Sequence, residues 1–312
     1  MTDIVTLTPN PAIDLSTSVE QVVPRLKLRC STQTRDPGGG GINVARVIKR
    51  LGGDVAAVYP IGGFTGQLLR ELVEREQISS HTSPLAQESR EDFSVTELCS
   101  GKQFRFVLPG PQVAPPEWHA CLEMLAALKP PPRFLVASGS LPPGMPDDFY
   151  ARVCRIAKGW NARMILDSSG PPLAAAIEEG VYLIKPNLRE LGELVGTSLT
   201  DRAALEEACR SLVTSGHVEL VALTMGHLGA TLVSRDQILR SPPLPIQPVS
   251  TIGAGDSFLG AVVSRLASGR PHDDALRYGM AAGSAAMLTP GTKLCYAQDV
   301  AQLVPQVIVE SV

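Results

Sequence analysis

The sequence predicts an α/β protein with a mostly parallel central sheet flanked by helices. Short apolar runs alternate with helical patterns, and each run ends in a turn rich in Gly, Pro, Ser or Asn. This alternation is typical of parallel strands joined by crossover helices. The chain has 312 residues, of which 44% are hydrophobic, so it can bury a sizeable core. The proline-rich stretches at 109–116 and 130–132 flank predicted core elements, so we expect a single domain over residues 1–312.

Six apolar runs are predicted to be buried strands, and five stretches with a helical pattern are predicted to be helices. The predicted strands are Ile4–Leu7, Val55–Tyr59, Phe134–Ser138, Met164–Asp167, Tyr182–Ile184 and Leu220–Thr224. The predicted helices are Asn43–Leu51, Thr65–Arg75, Trp118–Leu128, Asp147–Lys158 and Arg202–Ser215. Ligands of open α/β sheets bind at the carboxyl edge of the strands. We therefore expect the turns that follow these strands to carry the functional residues.

A second, smaller sheet is predicted by segments in which polar and apolar residues alternate, as they do in strands with two different faces. These segments are Lys27–Gln33 and the pair Phe93–Cys99 and Gln103–Val107, which the turn Ser100–Lys102 would join as a hairpin. We expect lid strands at about residues 15–35 and 90–108 that cover the site. The alternative is that these segments are extra edge strands of the main sheet.

Composition argues against several classes of function. The chain has 28 basic and 31 acidic residues, and this balance disfavours a nucleic-acid or membrane-surface partner. No apolar run approaches the ~20 residues of a membrane span, and residues 1–5 do not resemble a secretory signal. Six cysteines lie far apart without a Cys-x-x-Cys pair, which indicates reduced thiols in the cytoplasm and no zinc site.

The most informative stretch is Gly253-Ala254-Gly255-Asp256, which leads into an apolar helical run. Glycines allow a tight turn whose free N–H groups, together with the helix dipole, would form an anion hole. Asp256 at its edge has the chemistry of a general base for phosphoryl transfer to a hydroxyl group, and we expect the amides to keep it ionised. The alternative is an aspartate that merely caps the helix. No Walker A, Gly-x-Gly-x-x-Gly or His-Arg-Asp motif is present, which excludes P-loop, dinucleotide-binding and protein-kinase sites.

Several motifs in the same order resemble those of the ribokinase-like family of carbohydrate kinases. They are Thr8–Asp14, Gly38–Ala45, Lys185–Glu190, Ser250–Ser257 and Gly291-Thr292, and the resemblance runs from Thr6 to about Thr292. It implies a three-layer ribokinase-like fold with a small β-sheet lid and a homodimer that pairs through the lid. It also implies ATP and Mg²⁺ as cofactors and a small phosphosugar as substrate.

The resemblance implies a sugar site built from two kinds of residue. Asp14 would accept hydrogen bonds from sugar hydroxyls, and the glycines would bring the backbone close to the ligand. Arginine and lysine would hold the phosphate of the sugar, although such side chains are also common as solvated surface charges. The expected substrate-binding residues are Asp14, Lys27, Gly39, Gly40, Gly41, Asn43, Arg90, Arg105, Ser138 and Gly139.

The same resemblance implies a nucleotide site. Thr224-Met225-Gly226-His227-Leu228-Gly229 resembles the nucleotide loop of the family, and small residues near Gly283 suit a flat adenine slot. The expected nucleotide-binding residues are Lys185, Asn187, Thr224, Gly226, Gly229, Thr251, Gly283 and Ser284. Mg²⁺ would lie near Asn187 and Glu190, whose spacing puts both on one helical face, unless the two only cap a helix.

Two sequence features bear on the cation and on the substrate. Relatives that bind K⁺ beside the anion hole carry an aspartate six positions before the catalytic one, and Ser250 stands there in this chain, which argues against K⁺. Kinases of fructose 1-phosphate or tagatose 6-phosphate typically carry Gly-Gly-Lys-Gly where this chain has Gly38–Gly41. The expected reaction is therefore phosphorylation of fructose 6-phosphate by ATP, with those two sugars as alternatives. A non-catalytic phosphosugar sensor would not need Asp256, Asn187 and Glu190 together.

Overall fold

The computed structural model describes residues 3–31, 33–197, 199 and 201–312. The strands are β1 Ile4–Leu7, β2 Ala12–Val19, β3 Thr34–Gly38, β4 Val55–Ile61, β5 Ser79–Pro84, β6 Arg90–Glu97, β7 Gln103–Phe106, β8 Phe134–Ser138, β9 Arg163–Asp167, β10 Val181–Ile184, β11 Val218–Thr224, β12 Ala230–Val233, β13 Ile238–Ser241 and β14 Glu310–Ser311. The helices are α1 Gly40–Arg50, α2 Gly63–Arg75, α3 Pro115–Ala126, α4 Phe149–Gly159, α5 Gly170–Glu179, α6 Leu188–Val195, α7 Arg202–Thr214, α8 Ala254–Ala267, α9 His272–Met287 and α10 Ala297–Leu303.

The central sheet is mostly parallel, as the alternation of strands and helices predicts. Its strand order is β14-β13-β12-β11-β10-β9-β8-β1-β4-β5. The strands from β11 to β5 pair in parallel, whereas β12, β13 and β14 pair antiparallel at one edge. Parallel strands need crossover connections, and the helices provide them. The predicted α/β fold class is confirmed.

Helices cover both faces of this sheet and give the molecule three layers. Successive residues of a strand point to opposite faces, so Phe134 and Val136 of β8 pack in one apolar cluster and Leu135 and Ala137 in the other. Residues of α1, α8 and α9 fill the first cluster, and residues of α3, α4 and α7 fill the second. Within the residues that the structure describes, no helix combines the length and hydropathy needed to cross a membrane.

The six predicted strands are present, each within two residues at either end, because their apolar runs are buried on both faces. The helix starts are less accurate: α1 and α3 each begin three residues before the predicted position. The first turn of α1 contains glycines and that of α3 contains prolines, which weakens the helical pattern although proline is favoured there. Strand β5 was not predicted because its sequence, SSHTSP, is polar and it pairs only with β4 at the edge.

The small sheet is separate from the central sheet, in the order β3-β2-β6-β7, which confirms the predicted second sheet and rules out the edge-strand alternative. The strand predicted at Lys27–Gln33 is wrong, since residues 27–31 and 33 form no strand and Thr32 lies outside the described residues. The strands of this region are instead β2 and β3. Proline at position 24 and a left-handed Arg25, with φ of 64°, turn the chain between them. From the predicted segment, the Ser31 N–H donates to the Ser18 carbonyl of β2 at 2.8 Å, but no strand forms.

Candidate active site

A polar pocket of about 310 Å³ opens at the carboxyl edge of the central sheet, under the small sheet. Sequence-predicted residues in its lining are Gly39, Gly40, Asn43, Arg90, Arg105, Ser138, Gly139, Glu190 and Asp256. Ser140, which follows the predicted Ser138 and Gly139, also lines it, and the residues of the lining that were not predicted are Asp92, Val107, Asp167, Ser168 and Ser169. Polar residues that end neighbouring strands therefore meet at one rim, as the open-sheet rule predicts.

A second, more apolar pocket of about 250 Å³ lies at the same rim, next to α9. Predicted nucleotide residues in its lining are Thr224, Gly226, Gly229, Thr251, Gly283 and Ser284. Phe258, Met280 and Met287 add apolar side chains to its wall. An apolar slot with a few polar groups is the usual chemistry of a site for a flat aromatic ring. Lys185 and Asn187 do not line this pocket.

The first turn of α8 lies between the two pockets. Gly253 caps the helix in a left-handed conformation with φ of 75°, and a Cβ atom there would lie 2.6 Å from Cδ2 of Leu294, so only glycine fits. Ala254 and Gly255 line the apolar pocket, whereas Asp256 lines the polar pocket. The N-terminal N–H groups of a helix, which make no intrahelical hydrogen bond, attract anions. A negatively charged group that passes from one pocket to the other would thus pass this helix end.

The Asp256 carboxylate is held by a hydrogen bond that Asn43 Nδ2 donates to Oδ2 over 2.8 Å. Burial raises the pKa of Asp256, and this effect outweighs the lowering by Asn43, Lys185, Arg105 and Arg46. Burial thus works against the ionised form of Asp256, which the nearby amides were expected to favour. A carboxylate with a raised pKa is a stronger proton acceptor, which suits a general base.

The glycines before Asn43 serve packing as well as the pocket. A Cβ atom on Gly40 would collide with Ser138 Oγ, and one on Gly41 would lie 2.5 Å from the Leu7 carbonyl oxygen. The start of α1 thus packs directly against the ends of β1 and β8. Gly39 and Gly40 also line the polar pocket, but Gly41 does not. Close approach of backbone to backbone explains Gly41, where ligand contact was expected.

Asp14 lies behind the polar pocket rather than in its lining. It is buried on β2, and its carboxyl group contacts Gly38 so closely that a Cβ atom at Gly38 would collide with it. Burial raises the pKa of Asp14 to about 6, against the opposing charge of Arg105. This carboxyl group therefore changes its protonation state near neutral pH, as few aspartates do.

Two arginines from the small sheet reach the polar pocket. Arg90 Nη1 donates to the Leu108 carbonyl at 2.6 Å and Nη2 to the Asn10 carbonyl at 3.0 Å. Its buried Nε has no hydrogen-bond partner among the described residues. Arg105 is exposed on β7 and forms no ion pair within residues 3–31, 33–197, 199 and 201–312. Lys27, which was predicted to join them, is exposed and lies outside the pocket.

A buried ion pair joins the ends of β9 and β10. Lys185 Nζ lies 3.1 Å from Asp167 Oδ1, and it also lies 3.6 Å from the position of a Cβ atom on Gly255. Burial is the largest single influence and works to lower the pKa of Lys185, but Asp167, Glu190 and Asp256 together outweigh it and raise the pKa, so the ammonium stays charged beside α8. Sequence reasoning missed Asp167, although its place at the end of a predicted strand was a usable signal.

Asn187 and Glu190 form the helix cap that was the alternative to a metal site. Asn187 Oδ1 accepts from the Glu190 N–H, and Glu190 Oε2 accepts from the Asn187 N–H, both at 3.0 Å. Glu190 also lines the polar pocket, whereas Asn187 does not. In the described part of the chain, no three His, Cys, Asp or Glu residues form a cluster that would bind a metal unaided. Mg²⁺ that arrives with nucleotide phosphates and keeps its waters needs only one or two carboxylates, and Glu190 fits that requirement.

Comparison with known proteins identifies the family. Residues 5–299 match the model of the pfkB family carbohydrate kinases. The chain belongs to this family. The predicted carbohydrate-kinase family is therefore confirmed over almost the whole chain.

The kinase is similar to characterised and solved proteins along nearly its full length. It is 43% identical over 297 residues to the ATP-dependent 6-phosphofructokinase isozyme 2 of Mycobacterium tuberculosis, covering 95% of this chain and 87% of the relative. It is 32% identical over 307 residues to the 1-phosphofructokinase of Bacillus subtilis, covering 97% and 98%. The crystal structure of phosphofructokinase-2 from Escherichia coli in complex with potassium is similar at a TM-score of 0.94 and 38% identity, covering 98% of this chain and 99% of that chain.

Proposed function

We propose that this kinase transfers a phosphoryl group from ATP to fructose 6-phosphate and produces fructose 1,6-bisphosphate. The observation that carries the proposal is the first turn of α8, which has Asp256 on the polar pocket and Ala254 and Gly255 on the apolar pocket. An acceptor in the first pocket and a nucleotide in the second would meet at this turn. Similarity to a 6-phosphofructokinase at 43% identity supports the choice of reaction.

In this proposal, Asp256 accepts the proton of the attacking sugar hydroxyl through a carboxylate oxygen. The new bond forms between that hydroxyl oxygen and the terminal phosphorus of ATP, while the bond from this phosphorus to the bridging oxygen breaks and ADP leaves. The N–H groups of Gly253, Ala254 and Gly255 and the ammonium of Lys185 stabilise the moving negative charge. Bound Mg²⁺ supplies charge screening on the nucleotide, and Glu190 is the side chain best suited to hold it.

The sugar is proposed to bind in the polar pocket with its phosphate at the small sheet. Asn43 and the Gly39 backbone orient the sugar, with Asp14 behind them and with Ser138 and Gly139 beside Gly40 in the pocket lining. Among the described residues, Arg90 Nε has no hydrogen-bond partner and the guanidinium of Arg105 forms no ion pair. Both are donors that a phosphate oxygen would satisfy. Arginine binds phosphate with charge-assisted hydrogen bonds at any working pH.

A second candidate is phosphorylation of fructose 1-phosphate, because a 1-phosphofructokinase is 32% identical to this chain. The residue at position 40 disfavours it. Gly40 stands where such kinases typically carry lysine, and it lines the polar pocket without adding a charge. Tagatose 6-phosphate is a further alternative that differs from fructose 6-phosphate at one hydroxyl group.

Three further properties belong to the proposal. The small sheet exposes Leu26, Leu98, Phe104 and Phe106 near or on its strands, which supports a homodimer paired through this lid. All six cysteines are free, which supports work in the reducing cytoplasm. The similar Escherichia coli structure contains potassium, so dependence on K⁺ is worth measuring although the chain has Ser250 in place of aspartate.

The experiment that tests the function is turnover by the Asp256→Asn variant, followed as ADP release with fructose 6-phosphate. We expect kcat to fall by roughly 10²–10⁴-fold, the usual contribution of a general base. Asp273→Asn is the matched control, since Asp273 also lies in the first turn of a helix but is exposed and lines neither pocket. Near-normal turnover of Asp256→Asn would refute the assignment of the base.

A further inference from the structure

Arg46, in the middle of α1, is the largest fully buried side chain of the described residues. Burial of a charge is unfavourable unless it is paired and hydrogen-bonded. A buried arginine next to a pocket therefore needs an explanation from its contacts. Arg46 was not predicted from the sequence, because nothing in the local sequence pattern indicates that this arginine is buried.

The guanidinium of Arg46 contacts four residues from three separate parts of the chain. Its Nε donates to Glu76 Oε1 at 2.9 Å, and Nη1 donates to the Pro37 carbonyl at 2.9 Å. Nη2 lies 3.4 Å from Asp36 Oδ1. Nη1 also faces Asn43 Oδ1 at 3.4 Å, one helical turn away. The positive charge of Arg46 is thus neutralised by the carboxylates of Glu76 and Asp36, while Nη1 points at the amide oxygen of Asn43.

The contact with Asn43 fixes which way its amide points. Because an arginine N–H faces Oδ1, the NH₂ group of Asn43 is turned the other way, where it donates to Asp256 Oδ2 at 2.8 Å. If the amide rotated by half a turn, Asn43 would present its oxygen to the Asp256 carboxylate. Two acceptors facing each other would repel, and the ionised base would lose its donor.

We propose that Arg46 is a positioning residue that holds the Asn43 amide in the orientation that donates to Asp256. This inference rests on the proposed function, in which Asp256 is the general base. Arg46 itself touches neither pocket, since it does not appear in the lining of either. It acts on the reaction through Asn43.

The proposal predicts a change in pH dependence rather than a uniform loss. The charged groups that face Asp256 are Lys185 just after β10, Arg105 from β7, Arg46 from α1, and the carboxyl groups of Asp14 and Asp167. Removal of the Asn43 donor would favour the protonated form of Asp256. The acid limb of the kcat/KM profile, below which the base is protonated, would then move to higher pH.

The test compares Arg46→Lys, Arg46→Met and the matched control Arg50→Met. Arg50 also binds Glu76, at 2.8 Å, but makes no contact with Asn43. We expect the acid limb to move upward by on the order of one pH unit in both Arg46 variants, with turnover recovering at high pH, and to stay in place in Arg50→Met. The lysine variant keeps the charge, so its shift isolates the orienting contact from simple electrostatic attraction.

Two results would overturn the proposal: a wild-type acid limb in Arg46→Lys, or an equal loss of turnover at every pH in both variants. If Arg46→Met does not fold, Arg46→Lys decides the question by itself, because a single ammonium cannot replace the three guanidinium nitrogens: Nε on Glu76, Nη2 on Asp36, and Nη1 on both Pro37 and Asn43. Failure of the proposed base would be seen separately, since Asp256→Asn would then retain the acid limb.

Discussion

At the scale of single residues, the candidate site contains several carboxyl groups whose burial destabilises their charged form. Asp14 is the clearest case, because burial raises its pKa from 3.8 to about 6. Between these two values the folded protein binds more protons at this group than the unfolded chain does. The contribution of Asp14 to stability therefore falls as pH rises through this window, and above about pH 6 the full cost is present.

Replacing Asp14 with asparagine should therefore stabilise the protein at neutral pH while it weakens sugar binding. We expect the free energy of unfolding to rise by about 1–3 kcal/mol at about pH 8, from a shift of roughly two pKa units, and to change little at about pH 3.5. Urea unfolding at the two pH values, with KM for the phosphosugar at the higher one, would measure both effects. An equal change in stability at both pH values would contradict the burial argument.

A substitution at Glu190 can separate its role in the helix cap from its proposed role in Mg²⁺ binding. Glu190→Gln keeps an oxygen that can accept from the Asn187 N–H, so the helix cap survives while the negative charge is lost. We expect the Mg²⁺ concentration for half-maximal rate to rise by roughly fivefold, equivalent to about 1 kcal/mol. Glu193→Gln, an exposed carboxylate on the same helix, is the control. An unchanged Mg²⁺ titration would leave Glu190 with the role of a cap alone.

At the scale of elements, sequence patterns predicted those strands and helix starts that depend on local sequence alone. The apolar runs of β1 and β8 predicted strands because they are buried on both faces, and Gly253–Asp256 predicted the helix start that lies between the two pockets. Tertiary context determined the rest. Residues 27–31 and 33 alternate as a strand does but form none after the turn at Arg25, while polar β5 becomes a strand because β4 offers an edge. The role of Arg46 depends on Glu76 and, through Asn43, on Asp256, and that of Asp167 depends on Lys185, which the local sequence pattern does not reveal.

The small sheet has an exposed apolar surface of the kind that a protein partner usually covers. Phe93 of β6 lies opposite Phe106 of β7, and Val95 lies opposite Phe104, so one face carries a cluster of exposed apolar side chains. We expect a dimer in solution whose two lids cover each other, and Phe106→Glu should weaken it because burial would desolvate the new charge. Light scattering of the purified variant would report the mass.

Phe64 provides the control for this prediction. It is the most exposed of the large apolar side chains, at 83%, but it lies on α2 rather than on the small sheet. Phe64→Glu should leave the dimer intact. A wild-type protein that is an active monomer at assay concentration, or a dimer that only Phe64→Glu dissociates, would show that the lid is not the interface.

At the scale of the whole molecule, one rim of the sheet brings together sugar, phosphate and nucleotide chemistry. The small sheet supplies Arg90 and Arg105, the central sheet supplies Ser138, Asp167 and Lys185, and α8 separates the polar pocket from the apolar one. Cations for a substrate phosphate thus come from the lid side of the polar pocket. In the proposed binding mode, sugar hydroxyls would face α1 and α8, where Gly40 and Asn43 are uncharged and Asp256 is the one carboxyl group among these three lining residues.

This arrangement predicts which sugar the enzyme prefers. Gly40 leaves the pocket wall uncharged, and a side chain there would have to displace Ser138 Oγ, so the chain lacks the cation that typical kinases of fructose 1-phosphate and tagatose 6-phosphate carry at this position. We expect kcat/KM for fructose 6-phosphate to exceed that for fructose 1-phosphate by at least roughly tenfold, about 1.4 kcal/mol in transition-state binding. Tagatose 6-phosphate should be a poorer but detectable substrate. Side-by-side ADP-release assays would measure these preferences, with unphosphorylated fructose as the control for the arginine contacts. A clear preference for fructose 1-phosphate would reverse the substrate assignment while leaving the kinase reaction intact.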